Sequence, residues 1–180
     1  MMKKTGEQFI PDQSDLYEIF VNVERYCYAV LHCRNKIVLD AACGCGFGTY
    51  FYGLVANKVY AVDRCLEALN YAKSYPNLKE VEFLEKDLEK DLLPEADVCV
   101  SIETIEHLEN PGFFLKNLKC KELVFGIPMH SKTISPAFHK QDFKTEEDII
   151  NFISKYYQIK EWKIQENKWL MGWGEKKNLI

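Results

Sequence analysis

Between Leu16 and about Leu31 the apolar residues Ile19, Phe20, Val23, Tyr26, Cys27, Val30 and Leu31 recur at three- and four-residue spacing. That rhythm predicts an amphipathic helix with this set on its buried face and Asp15 as its cap. The rhythm then changes. Lys36-Ile-Val-Leu-Asp40 and Lys58-Val-Tyr-Ala-Val-Asp63 are short apolar runs closed by an acid, and Val81-Glu-Phe-Leu84, Ala96-Asp-Val-Cys-Val-Ser101 and Glu122-Leu-Val-Phe-Gly126 continue the series. Such runs read as buried parallel strands. Helical stretches fall between them, at Thr49 to Val55, Leu66 to Ser74 and about Gly112 to Leu118. The order predicts five strand-helix units in an α/β fold, an open doubly wound sheet flanked by helices. After Pro128 come a loop to about Lys144, a helix from Glu146 to Lys155, and two aromatic strands, Ile159 to Gln165 and Lys168 to Trp173. These last two make seven strands, with an antiparallel pair at the C-terminal end. Phe9 to Gln13, which contains a proline, reads as an arm before the first helix.

Composition narrows the classes of partner. The chain has 180 residues, 47% hydrophobic and 28% charged, the make-up of one globular domain. Twenty-three basic against 27 acidic residues leave a net charge of −4, so no general basic surface is available to a nucleic acid. Seven cysteines are an odd number without a CxxC pair, which suits neither a disulfide framework nor a zinc site. Cys43 and Cys45 are therefore not read as a metal pair. No apolar window is long enough to span a bilayer and no export signal is read, so a cytoplasmic location is expected.

The chemistry concentrates where the first strand hands over to the first helix of the sheet. Asp40-Ala-Ala-Cys-Gly44-Cys-Gly46-Phe-Gly48 makes a tight turn that brings backbone close to a ligand. A nicotinamide or flavin fingerprint reads GxGxxG, whereas here the spacing is GxGxG with an acid in front. A carboxylate at position 40 repels a pyrophosphate and attracts cationic groups, of which the ammonium and sulfonium of S-adenosylmethionine are examples. Asp63 ends the next strand, where a doubly wound fold holds a ribose by its two hydroxyls. The competing reading makes Asp63 a plain helix cap. Asp87 is a candidate for an adenine amino group, with Leu88 lining the ring, although the stretch around it is rich in solvated charge.

These residues resemble the class I S-adenosylmethionine-dependent methyltransferases. Thr5-Gly-Glu-Gln-Phe-Ile-Pro11, Glu24-Arg-Tyr26, Val38-Leu-Asp-Ala-Ala-Cys-Gly44, Ser101-Ile-Glu-Thr-Ile-Glu-His-Leu108 and Pro136-Ala-Phe-His139 follow, in that order, bacterial and phage enzymes associated with glycan assembly. The resemblance implies a Rossmann-like fold and S-adenosylmethionine as cofactor, with S-adenosylhomocysteine as product. It places Asp40, Gly44 and Gly46 at the methionine moiety, Asp63 at the ribose, and Asp87 at the adenine with Leu88 lining the ring. Glu103 falls near the cofactor's amino-acid end, with Arg25 pairing its carboxylate, and Ala42, Arg64 and Ser101 complete the cofactor-binding set. Residues 1–33 form an arm and cap helix, 34–126 the cofactor-binding core, and 127–180 the acceptor side. Ala42 stands where many relatives carry glycine, which a turn tolerates at negative φ. The loop from His130 to Pro136 is shorter than in many relatives.

Methyl transfer is an in-line displacement that needs donor and acceptor held collinear and dry, and it requires no metal. An alcohol acceptor also needs a base, for which a neutral histidine is suited. His107, after the fourth strand, and His139, in the loop roofing the same edge, are the candidates, with Glu106 as partner to His107 or lining the acceptor site. His32 reads as a helix-end residue, and His130 is left open. Trp162, Trp169 and Trp173 read as packing. The expected acceptor is a hydroxyl of a sugar, glycan or other small metabolite, with no nucleic acid and no membrane as partner, acting as a monomer or homodimer. Alternatives are N-methyl transfer to a small molecule and a cofactor-binding but inactive subunit.

Overall fold

Each acid-closed apolar run becomes a strand of one sheet: β1 (Ile37–Ala41), β2 (Lys58–Asp63), β3 (Val81–Glu85), β4 (Ala96–Ile102) and β5 (Cys120–Pro128). The computed structural model describes residues 9–76, 78–130 and 137–177. The helices are α1 (Leu16–Cys33), α2 (Phe47–Gly53), α3 (Leu66–Ala72), α4 (Pro111–Asn117) and α5 (Glu146–Ile153). Two long strands, β6 (Tyr157–Gln165) and β7 (Trp169–Lys176), complete the chain. The sheet order is β3-β2-β1-β4-β5-β7-β6. β1 to β5 pair in parallel, and β7 runs antiparallel to both β5 and β6.

Alternation along the buried strands supplies two cores, because successive side chains leave a strand on opposite faces. Leu39, Cys99, Leu123 and Phe125 pack with α4 and α5 on one face. Val38, Val98, Val100 and Val124 pack with Ala29 and Cys33 of α1 and Tyr52 of α2 on the other. Ile10, of the N-terminal arm, is fully buried against Cys45 and Ala68. The Tyr71 hydroxyl donates to Asp12 Oδ1 at 2.6 Å, so the arm is tied down beside the glycine turn.

Two expectations are corrected. Asp15 does cap α1, accepting from the Glu18 N–H at 2.8 Å, but the buried stripe of that helix is Val21, Arg25, Ala29 and Cys33. Phe20 and Leu31 are 67% and 76% exposed, and Cys27 is exposed too. Tyr26 and Val30 of the expected face do pack on the core, half-buried, and the helix is rotated from the expected orientation so that Arg25 turns inward to Gln165 on β6. The second correction concerns β3 and β4, which have no helix between them. That connection contains a turn held by Asp87, whose Oδ1 accepts from Glu89 N–H at 2.9 Å. Glu89 in turn accepts from the backbone N–H groups of Glu109 and Asn110, fastening the turn to the start of α4.

Candidate active site

Sheet order reverses at β1, whose neighbours are β2 and β4, and such a reversal opens a crevice beyond the carboxyl ends of the strands. The chemistry-bearing residues gather there. Asp40 is nearly buried at the end of β1, and the Thr49 hydroxyl donates to its Oδ2 at 2.5 Å. Burial pushes the Asp40 carboxyl up to about 7; the Thr49 hydrogen bond opposes the rise and the nearby charge of Asp63 adds to it. Thr104, just past β4, donates to the carbonyl of Ala41 at 3.1 Å and so stitches the β4 end to β1.

The turn from Ala41 to Phe47 uses left-handed backbone at Ala42, Gly44 and Gly46, with φ of 59°, 53° and 77°. Ala42 therefore does not have the negative φ expected of it. It stands exposed and bears the strain of a β-carbon in that region. The two glycines differ in what surrounds them. A β-carbon on Gly46 would lie 2.5 Å from Cβ of Ala72, so this glycine lets α3 pack onto the turn. A β-carbon on Gly44 would meet nothing within 4 Å.

Asp63 ends β2 nearly buried. Its Oδ2 accepts from the Gly44 N–H and its Oδ1 from the Cys65 N–H, both at 2.8 Å. The carboxylate thus binds the glycine turn of β1 to the start of α3, which is more than a helix cap. Asp87 is committed locally, accepting from Lys90 Nζ at 2.6 Å as well as from Glu89. The Lys90 and Glu89 hydrogen bonds hold its carboxyl below the usual range. Leu88 is buried among the apolar side chains of the main core, and Arg64 is exposed. Ser101 is fully buried, and its hydroxyl has no hydrogen bond among the described residues.

Arg25 reaches this edge from α1. Its Nε donates to Gln165 Oε1 at 2.8 Å, its guanidinium carbon stands 3.9 Å over the Trp169 ring, and Nη1 is 3.4 Å from Glu103 Oε1. Glu103 follows β4 with φ 52°. Burial raises its carboxyl, an effect opposed by Arg25, His139 and the Trp169 indole. Sequence reasoning missed Thr49, Thr104 and Gln165, all buried polar residues. The signal available was a hydroxyl or amide set among apolar neighbours on elements already assigned to the core.

Beyond Glu103, a short 3-10 turn from Ile105 to His107 carries Glu106 and His107. Glu106 is completely buried, and burial, with Glu103 adding, pushes its carboxyl well above the usual range. The backbone N–H groups of Lys140 and Gln141 both donate to the Glu106 carbonyl, at 2.7 and 3.0 Å. These bonds bring His139 in, and its ring lies 4.6 Å from that of His107 at 76°. The two predicted histidines and Glu106 thus share one place, and together they form a group able to hold a metal ion. His130 is exposed, and its N–H donates to the Phe143 carbonyl. His32 stacks on Trp173. Pro136, Thr5 to Gln8 and most of the loop from His130 to Pro136 lie outside the described residues.

Residues 39–120 match a family model described as a methyltransferase domain. The chain is 34% identical over 127 residues to the "Probable S-adenosylmethionine-dependent methyltransferase MT3114" of Mycobacterium tuberculosis, covering 68% of this chain and 44% of that protein. It is 32% identical over 101 residues to the mitochondrial ubiquinone biosynthesis O-methyltransferase of Schizosaccharomyces pombe, covering 53% and 35%. It therefore spans less than half the length of these curated relatives. A solved S-adenosylmethionine-dependent methyltransferase from Aquifex aeolicus superposes with a TM-score of 0.70 at 19% identity, covering 94% of this chain and all of that one. Among the described residues no helix is long and apolar enough to cross a membrane. With the strand order, the GxGxG turn and the two strand-ending acids, these likenesses support a class I S-adenosylmethionine-dependent methyltransferase domain in this chain.

Proposed function

We propose that this chain transfers the methyl group of S-adenosylmethionine to a hydroxyl of a small acceptor, such as a sugar, the exposed end of a glycan or another hydroxylated metabolite. The residues of the crevice suit that cofactor. Open space beside Gly44 leaves room for a ligand against the backbone, and Ser101 offers a buried hydroxyl with no other hydrogen bond among the described residues. Asp63, held by two backbone N–H groups, keeps lone pairs for a vicinal diol. Asp40 in its ionised form attracts a cationic amino-acid end, and Arg25, already beside Glu103, attracts a carboxylate. When bound, the cofactor supplies a methyl on a sulfonium, a good leaving group open to in-line attack.

One observation carries the choice of a hydroxyl. Glu103 borders the cofactor crevice through Arg25, and its charge also acts on Glu106 and bears on His139. The Glu106, His107 and His139 group therefore adjoins the place where the methyl would be presented. A hydroxyl nucleophile must lose its proton during attack, and it is this demand that calls for such a group. The S. pombe relative, named an O-methyltransferase, agrees with that chemistry. Neutral acceptors without large anionic surfaces suit the chain's negative charge.

The test is product analysis. The chain, S-adenosylmethionine carrying a labelled methyl, and a panel of sugars, phenols and small amines are incubated, and the methylated atom is identified by mass spectrometry and NMR. Label on a hydroxyl oxygen is expected. Label confined to nitrogen overturns the reading, and so does cofactor binding without turnover on any hydroxylated member.

A further inference from the structure

Glu106 has no exposed surface, and neither of its carboxylate oxygens has a hydrogen bond of normal geometry among the described residues. Such a carboxyl is costly to ionise unless a counter-charge stands beside it, and a cation would be that counter-charge. What faces it is a pair of imidazoles. One donor atom from each of Glu106, His107 and His139 lies within 4.8 Å of the others, and His107 Nε2 is 3.9 Å from Glu106 Oε1. That separation is too long for a hydrogen bond. Three ligands around one cation, each about 2.0 to 2.2 Å from it, stand roughly 3 to 4 Å from one another, so modest side-chain movement closes the group on an ion.

The surroundings orient the ligands. His107 Nδ1 lies 3.3 Å from the Phe138 carbonyl oxygen, which can only accept, so the tautomer with its proton on Nδ1 satisfies that contact and makes Nε2, on the Glu106 side, the ligand nitrogen. A backbone carbonyl on the far nitrogen is the arrangement that fixes metal-bound histidines. The Lys140 and Gln141 N–H groups on the Glu106 carbonyl, with Gln141 Nε2 donating to Leu108 O at 2.8 Å, hold the His139 segment against the turn. Glu103, whose Oε1 pairs with Arg25 at 3.4 Å, acts electrostatically on both Glu106 and His139.

We propose that Glu106, His107 and His139 bind a divalent transition cation whose open positions take the acceptor hydroxyl. One carboxylate and two imidazoles suit Zn²⁺, Mn²⁺, Fe²⁺ or Co²⁺, whereas Mg²⁺ and Ca²⁺ favour oxygen ligands. No cysteine belongs to the group. A hydroxyl on the cation ionises more readily, its O–H bond breaking and its proton passing to water, while the oxygen stays in place as nucleophile. The presence of the site stands on the geometry alone. Its use rests on the hydroxyl reading above, and it replaces the histidines as free bases.

The test begins with the full chain stripped by a chelator. Mn²⁺ is titrated and followed by the paramagnetic resonance of the free ion, and Co²⁺ by its visible absorption. One ion per chain is expected, with no thiolate-to-cobalt bands. Glu106→Gln and His139→Ala should each weaken binding at least about tenfold, the scale on which even supporting residues act, while S-adenosylhomocysteine affinity stays within about twofold and certifies folding. The site is overturned if the unaltered chain binds neither ion stoichiometrically, if both variants bind as well as it does, or if thiolate bands dominate. Stoichiometric binding lost in both variants upholds the site even where no hydroxylated acceptor turns over. Hydroxyl methylation that continues at full rate in chelator removes the cation from the reaction and overturns its proposed use.

Discussion

Asp40 is a buried acid at the mouth of a crevice, and its titration should be visible in ligand binding. Burial lifts its carboxyl to about 7, with Asp63 as the charged neighbour that adds to the rise and Thr49 as the hydrogen bond that restrains it. The ionised form attracts the cationic end of S-adenosylhomocysteine and the protonated form does not. Affinity should therefore increase as pH rises through about 7 and level off above it, with release of a proton on binding below that point. Stability has the opposite sign. A carboxyl whose folded pKa exceeds its unfolded value near 4 makes the fold less stable as pH climbs from about 4 to about 7. Calorimetry across this range on the unaltered chain and on Asp40→Asn checks both, since the variant should lose the pH dependence of binding. An affinity that falls through pH 7, or an unchanged profile in Asp40→Asn, removes Asp40 from contact with the cofactor. At this scale the sequence made the two acids and the glycines visible, because their spacing along the chain is local. That His139 roofs the edge where His107 and Glu106 stand was legible too, but its fastening there was not, since that depends on backbone bonds from Lys140 and Gln141 that no side-chain pattern encodes.

The turn between β1 and α2 shows how elements divide labour among residues of one type. Gly46 is where α3 touches the turn, and Gly44 is where the turn faces open space. Gly46→Ala forces a β-carbon against Ala72 and into left-handed backbone, so it should cost stability by overpacking of about 1 to 3 kcal/mol plus roughly 1 to 2 kcal/mol of backbone strain. Gly44→Ala bears only the strain but fills the side open to a ligand, so its larger effect should fall on S-adenosylhomocysteine affinity. Urea unfolding and calorimetry on the two variants separate these outcomes, and a reversed pattern would exchange the two roles. The strands were legible because parallel strands buried on both faces are nearly continuous apolar runs. The orientation of α1 was not, because Arg25 sits in its buried stripe beside Gln165 and Trp169, and hydrophobicity alone turns the helix the wrong way. The connection from β3 to β4 likewise escaped, its form set by Asp87 and Glu89 accepting from backbone N–H groups.

At the scale of the whole molecule the strand order reverses between two halves of one sheet, and the groups proposed to hold the cofactor come from both. Asp40, Gly44 and Asp63 belong to the β1 and β2 side, Ser101 belongs to β4, Glu103 stands just past it, and Arg25 reaches in from α1. A ligand that touches all of these binds only the folded chain, since unfolding scatters them. Binding to the folded state alone adds about 2.7 kcal/mol of stability at a free concentration one hundred times the dissociation constant. For a chain of this size each kcal/mol moves the midpoint of thermal unfolding by roughly 2 to 4 °C, so S-adenosylhomocysteine at that concentration should raise it by about 5 to 11 °C. NAD should leave the midpoint unchanged, because Asp40 repels a pyrophosphate at the turn. Asp63→Ala removes an acceptor for the ribose hydroxyls, and hydrogen bonds to a charged group are worth about 1.5 to 3 kcal/mol. Its affinity should accordingly fall by roughly tenfold to a hundredfold, so that the same ligand concentration yields between about half and about one seventh of the shift. Differential scanning calorimetry with both ligands and both chains checks the set. A shift with NAD that matches the one with S-adenosylhomocysteine would mean that the crevice accepts a pyrophosphate despite Asp40. An Asp63→Ala chain stabilised as fully as the unaltered one would leave that acid with its structural task alone, joining the β1 turn to the start of α3.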